Sequence, residues 1–287
     1  MSDLITPAPA PSRSAPRVAI GKAIALGLVA GFMSGMFGVG GGILLVPVLV
    51  IGLGVPQKLA NGTSLAAVLP VALSSLTGYL TDGKVDWPVA GLLAVGAIGG
   101  AVIGTHVLHL LPHRVVGYAF ALLLVATAVR LIIDHSSADG RSPLHLLGMV
   151  ALVLVGVLSG ILAGLLGVGG GIVMVPVMVV GFGIPAAIAK GTSLGVIVPT
   201  SVMGTWRNQR KRNVDLRLAT ALGLAGVVSA YAASQISVGM SESTSNVLFA
   251  CLLSVVAERM VWQLVRERSA AQPAGQQGVD GPAGDGR

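Results

Sequence analysis

The chain has 287 residues, of which 54% are hydrophobic and 10% charged, with a formal net charge of +7. A soluble domain carries roughly 25% charge, so a water-soluble globular fold is excluded and lipid is the solvent that suits this composition. The positive residues stand in short clusters between apolar runs and form no basic face, which excludes nucleic acid as a partner.

Residues 1–17 are rich in Pro, Ala and Ser and read as a disordered tail without a cleavable signal. Apolar runs follow at roughly 18–37, 42–55, 59–81, 87–111 and 115–133. A polar linker occupies 134–147. Five more runs come at 145–166, 171–184, 188–206, 216–238 and 244–264, before a polar tail over 266–287. Cys251 is the only cysteine, so an intrachain disulfide is impossible and a thiolate metal site is not expected.

Moving the first five runs by 129 residues superposes them on the second five. Between Gly31–Pro70 and Gly160–Pro199, 21 of 40 positions are identical. The chain is thus a duplication, with repeats over 18–133 and 148–265. The second and seventh runs are short. Thirteen helical residues rise about 20 Å against a hydrocarbon core of about 30 Å. Each follows a glycine cluster and carries an early proline, Pro47 or Pro176. The expected fold is an all-α polytopic membrane protein. It has two inverted repeats of about five transmembrane segments each, with paired broken or re-entrant short helices. Five crossings per repeat invert the second half. The repeat-equivalent loops 82–86 and 207–217 carry net charges of −1 and +4, which fits opposite faces. The positive-inside rule places 207–217, and with it both tails, in the cytoplasm.

Two motifs recur. Gly38, Gly40, Gly41 and Gly42 pair with Gly167, Gly169, Gly170 and Gly171. Glycines at a helix break admit unusual backbone angles and let a solute approach the chain, and the following half-helix presents free amides to an anion. The pattern lacks the sixth-position glycine of a dinucleotide fingerprint and the lysine of a P-loop. Close helix packing through small residues is the plain alternative. Thr63, Ser64, Thr192 and Ser193 belong to repeated Gly-Thr-Ser triplets read as opening the third segment of each half, where the hydroxyls cap amides or contact an anion. Lys190 stands where the first repeat has Asn61, a natural anion partner in a membrane or else an interfacial residue. No nucleophile–base pair, metal-ligand spacing or carboxylate pair appears, so neither an enzyme nor a cofactor is expected.

The doubled Gly-x-Gly-Gly-Gly with a proline (Pro47, Pro176) five residues after the last glycine, the Ala-x-Gly-Thr-Ser at 60–64 and 189–193, and the loop ending Val85-Asp86 or Val214-Asp215 resemble the TauE/SafE sulfite exporter family. The resemblance covers about 19–265 and implies a plasma-membrane permease for small anions such as sulfite, organosulfonates or carboxylates. The same reading expects alternating access around a central site, with a small anionic solute and the lipid bilayer as partners, and leaves the oligomeric state open. A passive anion channel and a scaffold without flux are the rival readings.

Overall fold

The computed structural model describes residues 20–107, 113–133, 145–166 and 169–270. The tails as far as 19 and from 271, linker residues 134–144 and Gly167 lie outside them. The elements are α1 (Ile20–Phe37), α2 (Gly42–Pro47, continued by a π-helical turn over Val48–Gly52), α3 (Gln57–Thr81), α4 (Trp87–Val107), α5 (His113–Ile133), α6 (Leu146–Leu166), α7 (Gly171–Phe182), α8 (Ala186–Arg210), α9 (Leu216–Gly239) and α10 (Glu242–Ala270). Six of them (α1, α3, α6, α8, α9 and α10) are long and apolar enough to cross a bilayer. With only twelve residues, α7 spans about 18 Å and stops short of one.

The duplication survives folding. α3 and α8 coincide under the 129-residue offset, and the remaining starts agree within three residues. Each of these two central helices begins directly after a proline, Pro56 or Pro185, which ends the preceding segment and presets the entry angle. One difference separates the halves. Past Pro47 the helix widens into a π turn, whereas past Pro176 it stays α-helical.

The halves interlock. α3 and α8 lie antiparallel: a Cβ on Gly62, near the start of α3, would collide with the carbonyl of Asn213 beyond the end of α8. A Cβ on Gly191, near the start of α8, would collide with that of Lys84 beyond the end of α3. α1 packs on α9 of the other half, α6 packs on α4, and α5 packs on α10. The crossings use missing side chains. Side chains on Gly27 and Gly31 would enter the carbonyls of Leu222 and Gly226. Side chains on Gly156 and Gly160 would enter those of Leu93 and Ala97, the repeat equivalents. In lipid no hydrophobic force drives helices together, so such backbone approaches supply the packing energy.

Large apolar residues face outward, among them Leu122, Leu147 and Val228, all at least 70% exposed. That outer belt suits acyl chains rather than water. The interior mixes large apolar side chains such as Leu93, Met174 and Leu194 with small residues and hydroxyls, including Ala67, Ala72, Ser75, Ala189 and Ser193. The helical run of α10 reaches Ala270, five residues past the expected end of the second repeat.

Candidate functional site

α1 ends at Phe37, and the amide of Gly38 still donates to the Ser34 carbonyl at 2.8 Å. The chain then turns through Gly38, Gly40 and Gly41 at φ of 69°, 79° and 69°. These left-handed angles cost a residue with Cβ about 1 kcal/mol or more. α2 starts at Gly42 with Gly41 as its cap, and the amides of Leu44 and Leu45 close onto the Gly41 carbonyl at 3.2 and 3.3 Å. The second break repeats this geometry. Gly169 and Gly170 have φ of 83° and 77°, α7 starts at Gly171, and Val173 and Met174 donate to the Gly170 carbonyl at 3.1 and 3.3 Å. A glycine cap has no side-chain oxygen, so the first amides of α2 and α7 carry no side-chain cap.

The two breaks meet. A Cβ on Gly40 would lie 3.2 Å from Ile197 and 3.3 Å from Val68. On Gly169 it would lie 3.4 Å from Ile197 and 3.7 Å from Val68. Val68 and Ile197 are themselves repeat equivalents, on the inner faces of α3 and α8, and both are fully buried. A Cβ on Gly171 would come within 3.0 Å of the Gly38 carbonyl. The described glycines of the two clusters, 129 residues apart, therefore share one buried centre, and none of them faces lipid.

Ser193 and Lys190 join this centre. Ser193 Oγ lies 2.5 Å from the Gly38 carbonyl and 2.7 Å from that of Lys190, so its one proton serves either. The backbone of Lys190 lies against Gly38. Its side chain is fully buried, with Nζ donating to Ser245 Oγ at 2.7 Å. Nζ also sits 5.1 Å from the ring centre of Phe249 and 5.9 Å from that of Phe37, the residue that ends α1. The snorkelling alternative for Lys190 does not hold, because the chain folds two aromatic rings and α10 over it.

The other hydroxyls stand elsewhere. The Gly-Thr-Ser triplets do not open helices. α3 and α8 begin five residues before Gly62 and Gly191, since Pro56 and Pro185 start them, so Thr63 and Thr192 lie within the second turn. Because α3 and α8 are antiparallel, the two threonines are at opposite ends of the bundle. Each accepts a hydrogen bond from the other half: the amide of Asp215 to Thr63 Oγ1 at 3.0 Å, and that of Asp86 to Thr192 Oγ1 at 2.9 Å. Ser64 is fully buried on α3.

Three hydroxyls missed from the sequence are buried without a hydrogen-bond partner among the described residues: Ser159, Ser201 and Thr205. The Ser159 carbonyl is 3.1 Å from where a Gly170 Cβ would be, and Ser201 and Thr205 lie one and two turns beyond Ile197 on α8. A signal existed, since the first repeat has Ala30, Ala72 and Leu76 at these positions. An orphan hydroxyl in the interior costs about 1–3 kcal/mol, which a polar solute would relieve. Tyr79, also buried, holds the end of α1, with its hydroxyl 2.9 Å from the Gly35 carbonyl and 2.9 Å from Ser237 Oγ. Among the described residues no three His, Cys, Asp or Glu side chains gather into a metal-binding group.

Comparison with known proteins agrees with this doubling. The profile of a family described as sulfite exporter TauE/SafE matches the chain twice, over 23–162 and 151–284. YunE of Bacillus subtilis, named a probable membrane transporter protein, is 25% identical over 267 residues, which cover 85% of this chain and 96% of YunE. YjnA of the same bacterium, similarly named, is 26% identical over 250 residues, covering 83% and 98%. A probable membrane transporter protein of Xylella fastidiosa is 26% identical over 245 residues, covering 84% and 94%. No solved structure matches the chain.

Proposed function

From the premise that the chain belongs to the TauE/SafE family of membrane transporters, we propose that it is a secondary transporter of small anions that works by alternating access. Sulfite and organosulfonates are the first candidates, and small carboxylates the next. The observation that carries this reading is the convergence of Gly40 and Gly169 on Val68 and Ile197. Two opposed half-helices start there, and their first amides supply partial positive charge to an anion without a second buried cation. Partial charges also let the anion leave again, because the site does not hold it as tightly as an ion pair would. The backbone at Gly38–Gly42 and Gly169–Gly171 would cradle the solute, with Ser193 and Lys190 beside it. Gly167, Thr63, Ser64 and Thr192 remain proposed contacts by motif alone.

Inverted repeats give the two end states for free. If one half rocks against the other, the arrangement that opens one end becomes, with the repeats exchanged, the one that opens the other. Val68 and Ile197 would separate in that motion, since together they fill the space between the breaks. We place the chain in the plasma membrane with the basic 207–217 loop and both termini in the cytoplasm. The test is a panel of labelled sulfite, sulfonates and carboxylates in proteoliposomes, with and without a pH gradient. Saturable uptake with counterflow supports the carrier. Flux that never saturates and follows voltage indicates a channel instead.

A further inference from the structure

A cleft opens at the end of the bundle where α7 turns into α8, away from the glycine breaks. Lys84, Arg130, Ser237, Glu242, Ser245 and Asn246 supply its polar lining. Lys84 and Arg130 against Glu242 leave one net positive charge at its mouth. Arg130 is pinned there by donating to the Val180 carbonyl at 2.5 Å. Ser245 belongs to both the cleft and the interior. It is 6% exposed, and behind it Lys190 Nζ donates to its oxygen at 2.7 Å. A hydroxyl that accepts from an ammonium keeps its own proton to donate, and the ammonium polarises that O–H. When protonated, Lys190 thus presents its charge to the cleft through one hydroxyl. The other repeat has no such arrangement, since Asn61 and Asn213 replace Lys190 and Lys84. A buried lysine therefore backs one end of an otherwise duplicated bundle, the end whose loop 82–86 is itself net negative.

We propose that this cleft is a capture site for a small oxyanion (a carboxylate, sulfonate or sulfite), with the Ser245 hydroxyl as donor and Lys190 as buried counter-charge. The proposal rests on the anion-transport reading and adds a second station to it. Lys190 links the stations, because its side chain backs the cleft while its backbone abuts Gly38 at the first break.

The test uses the full chain in neutral detergent, carrying Asn246→Cys in a Cys251→Ser background, which removes the one native thiol, itself exposed. An anionic and a cationic methanethiosulfonate reagent are compared, with methanesulfonate as the protecting ligand. The anionic reagent is expected to react about tenfold faster, the scale set by 1.4 kcal/mol, and methanesulfonate is expected to slow it. Ser245→Ala and Lys190→Met are each expected to abolish the protection by methanesulfonate and to weaken the preference, while Lys58→Met at the start of α3 leaves both unchanged. Ser245→Ala retains both charge and helix and so decides the matter should Lys190→Met fold poorly. A parent without the preference, or methanesulfonate protection that survives Ser245→Ala, overturns the proposal. Labelling needs no flux, so absent transport with an intact preference counts against the transporter reading alone. Transport with an unchanged KM in Ser245→Ala, together with unchanged methanesulfonate protection, counts against the cleft alone.

Discussion

The backbone amide of Asp86 donates to the side-chain oxygen of Thr192 at 2.9 Å, across the boundary between the two repeats. Asp215 and Thr63 form the mirror bond at 3.0 Å, at the other end of the bundle. Each aspartate then caps the next helix, Asp86 accepting from Val89 at 3.2 Å and Asp215 from Leu218 at 3.1 Å. Every such loop is fastened to a helix of the opposite half, so the two halves are clasped at both ends.

Thr63→Val and Thr192→Val are each expected to cost about 1–2 kcal/mol, the penalty for orphaning a buried amide. Because the sites lie at opposite ends, the double variant should show the sum. Unfolding midpoints in detergent, followed by tryptophan fluorescence, check this, and Thr→Ser at either site should restore most of the loss.

The crossings predict a sharper contrast among glycines. Gly31→Leu and Gly160→Leu drive side chains into the carbonyls of Gly226 and Ala97, and should cost about 3 kcal/mol or more. Gly91→Leu meets nothing within 4 Å and should fold normally. Size-exclusion profiles of the purified variants read the difference as aggregated against monodisperse protein.

The sequence already held the 129-residue duplication, the ten helical segments and the two breaks, because hydropathy, glycine and proline act locally and leave a pattern at fixed spacing. What it did not disclose depends on partners far along the chain. Nothing near Thr63 points to Asp215, and nothing near Lys190 points to Phe249 and Ser245. The polar start Gln57-Lys58 reads as loop, yet Pro56 begins a helix there, which moves Gly-Thr-Ser inside it. The orphan hydroxyls Ser159 and Ser201 were within reach, since they stand as departures from alanine between otherwise similar repeats.

Those hydroxyls separate binding from stability. Ser159→Ala and Ser201→Ala remove polar groups that have no hydrogen-bond partner among the described residues, so melting temperatures should hold or rise. If the hydroxyls serve the solute, KM for the transported anion should rise about three- to tenfold in each, roughly the worth of one hydrogen bond. Proteoliposome uptake against concentration, beside thermal unfolding of the same preparations, measures both.

The central claim is that twin glycine-capped half-helices hold the solute where the two repeats meet. Gly41→Val and Gly170→Val test it most directly, because both caps sit at left-handed angles, φ 69° and 77°, that a β-branched residue resists. Labelled sulfite uptake into proteoliposomes is measured for each variant and the parent, together with the amount of monodisperse protein inserted. The account predicts that flux disappears in both variants while insertion persists in Gly170→Val, whose Cβ meets nothing closer than the Ser159 carbonyl at 3.1 Å; a Cβ on Gly41 lies 2.5 Å from the Ala30 carbonyl, so Gly41→Val also loses monodisperse protein. Parental flux in both would contradict it.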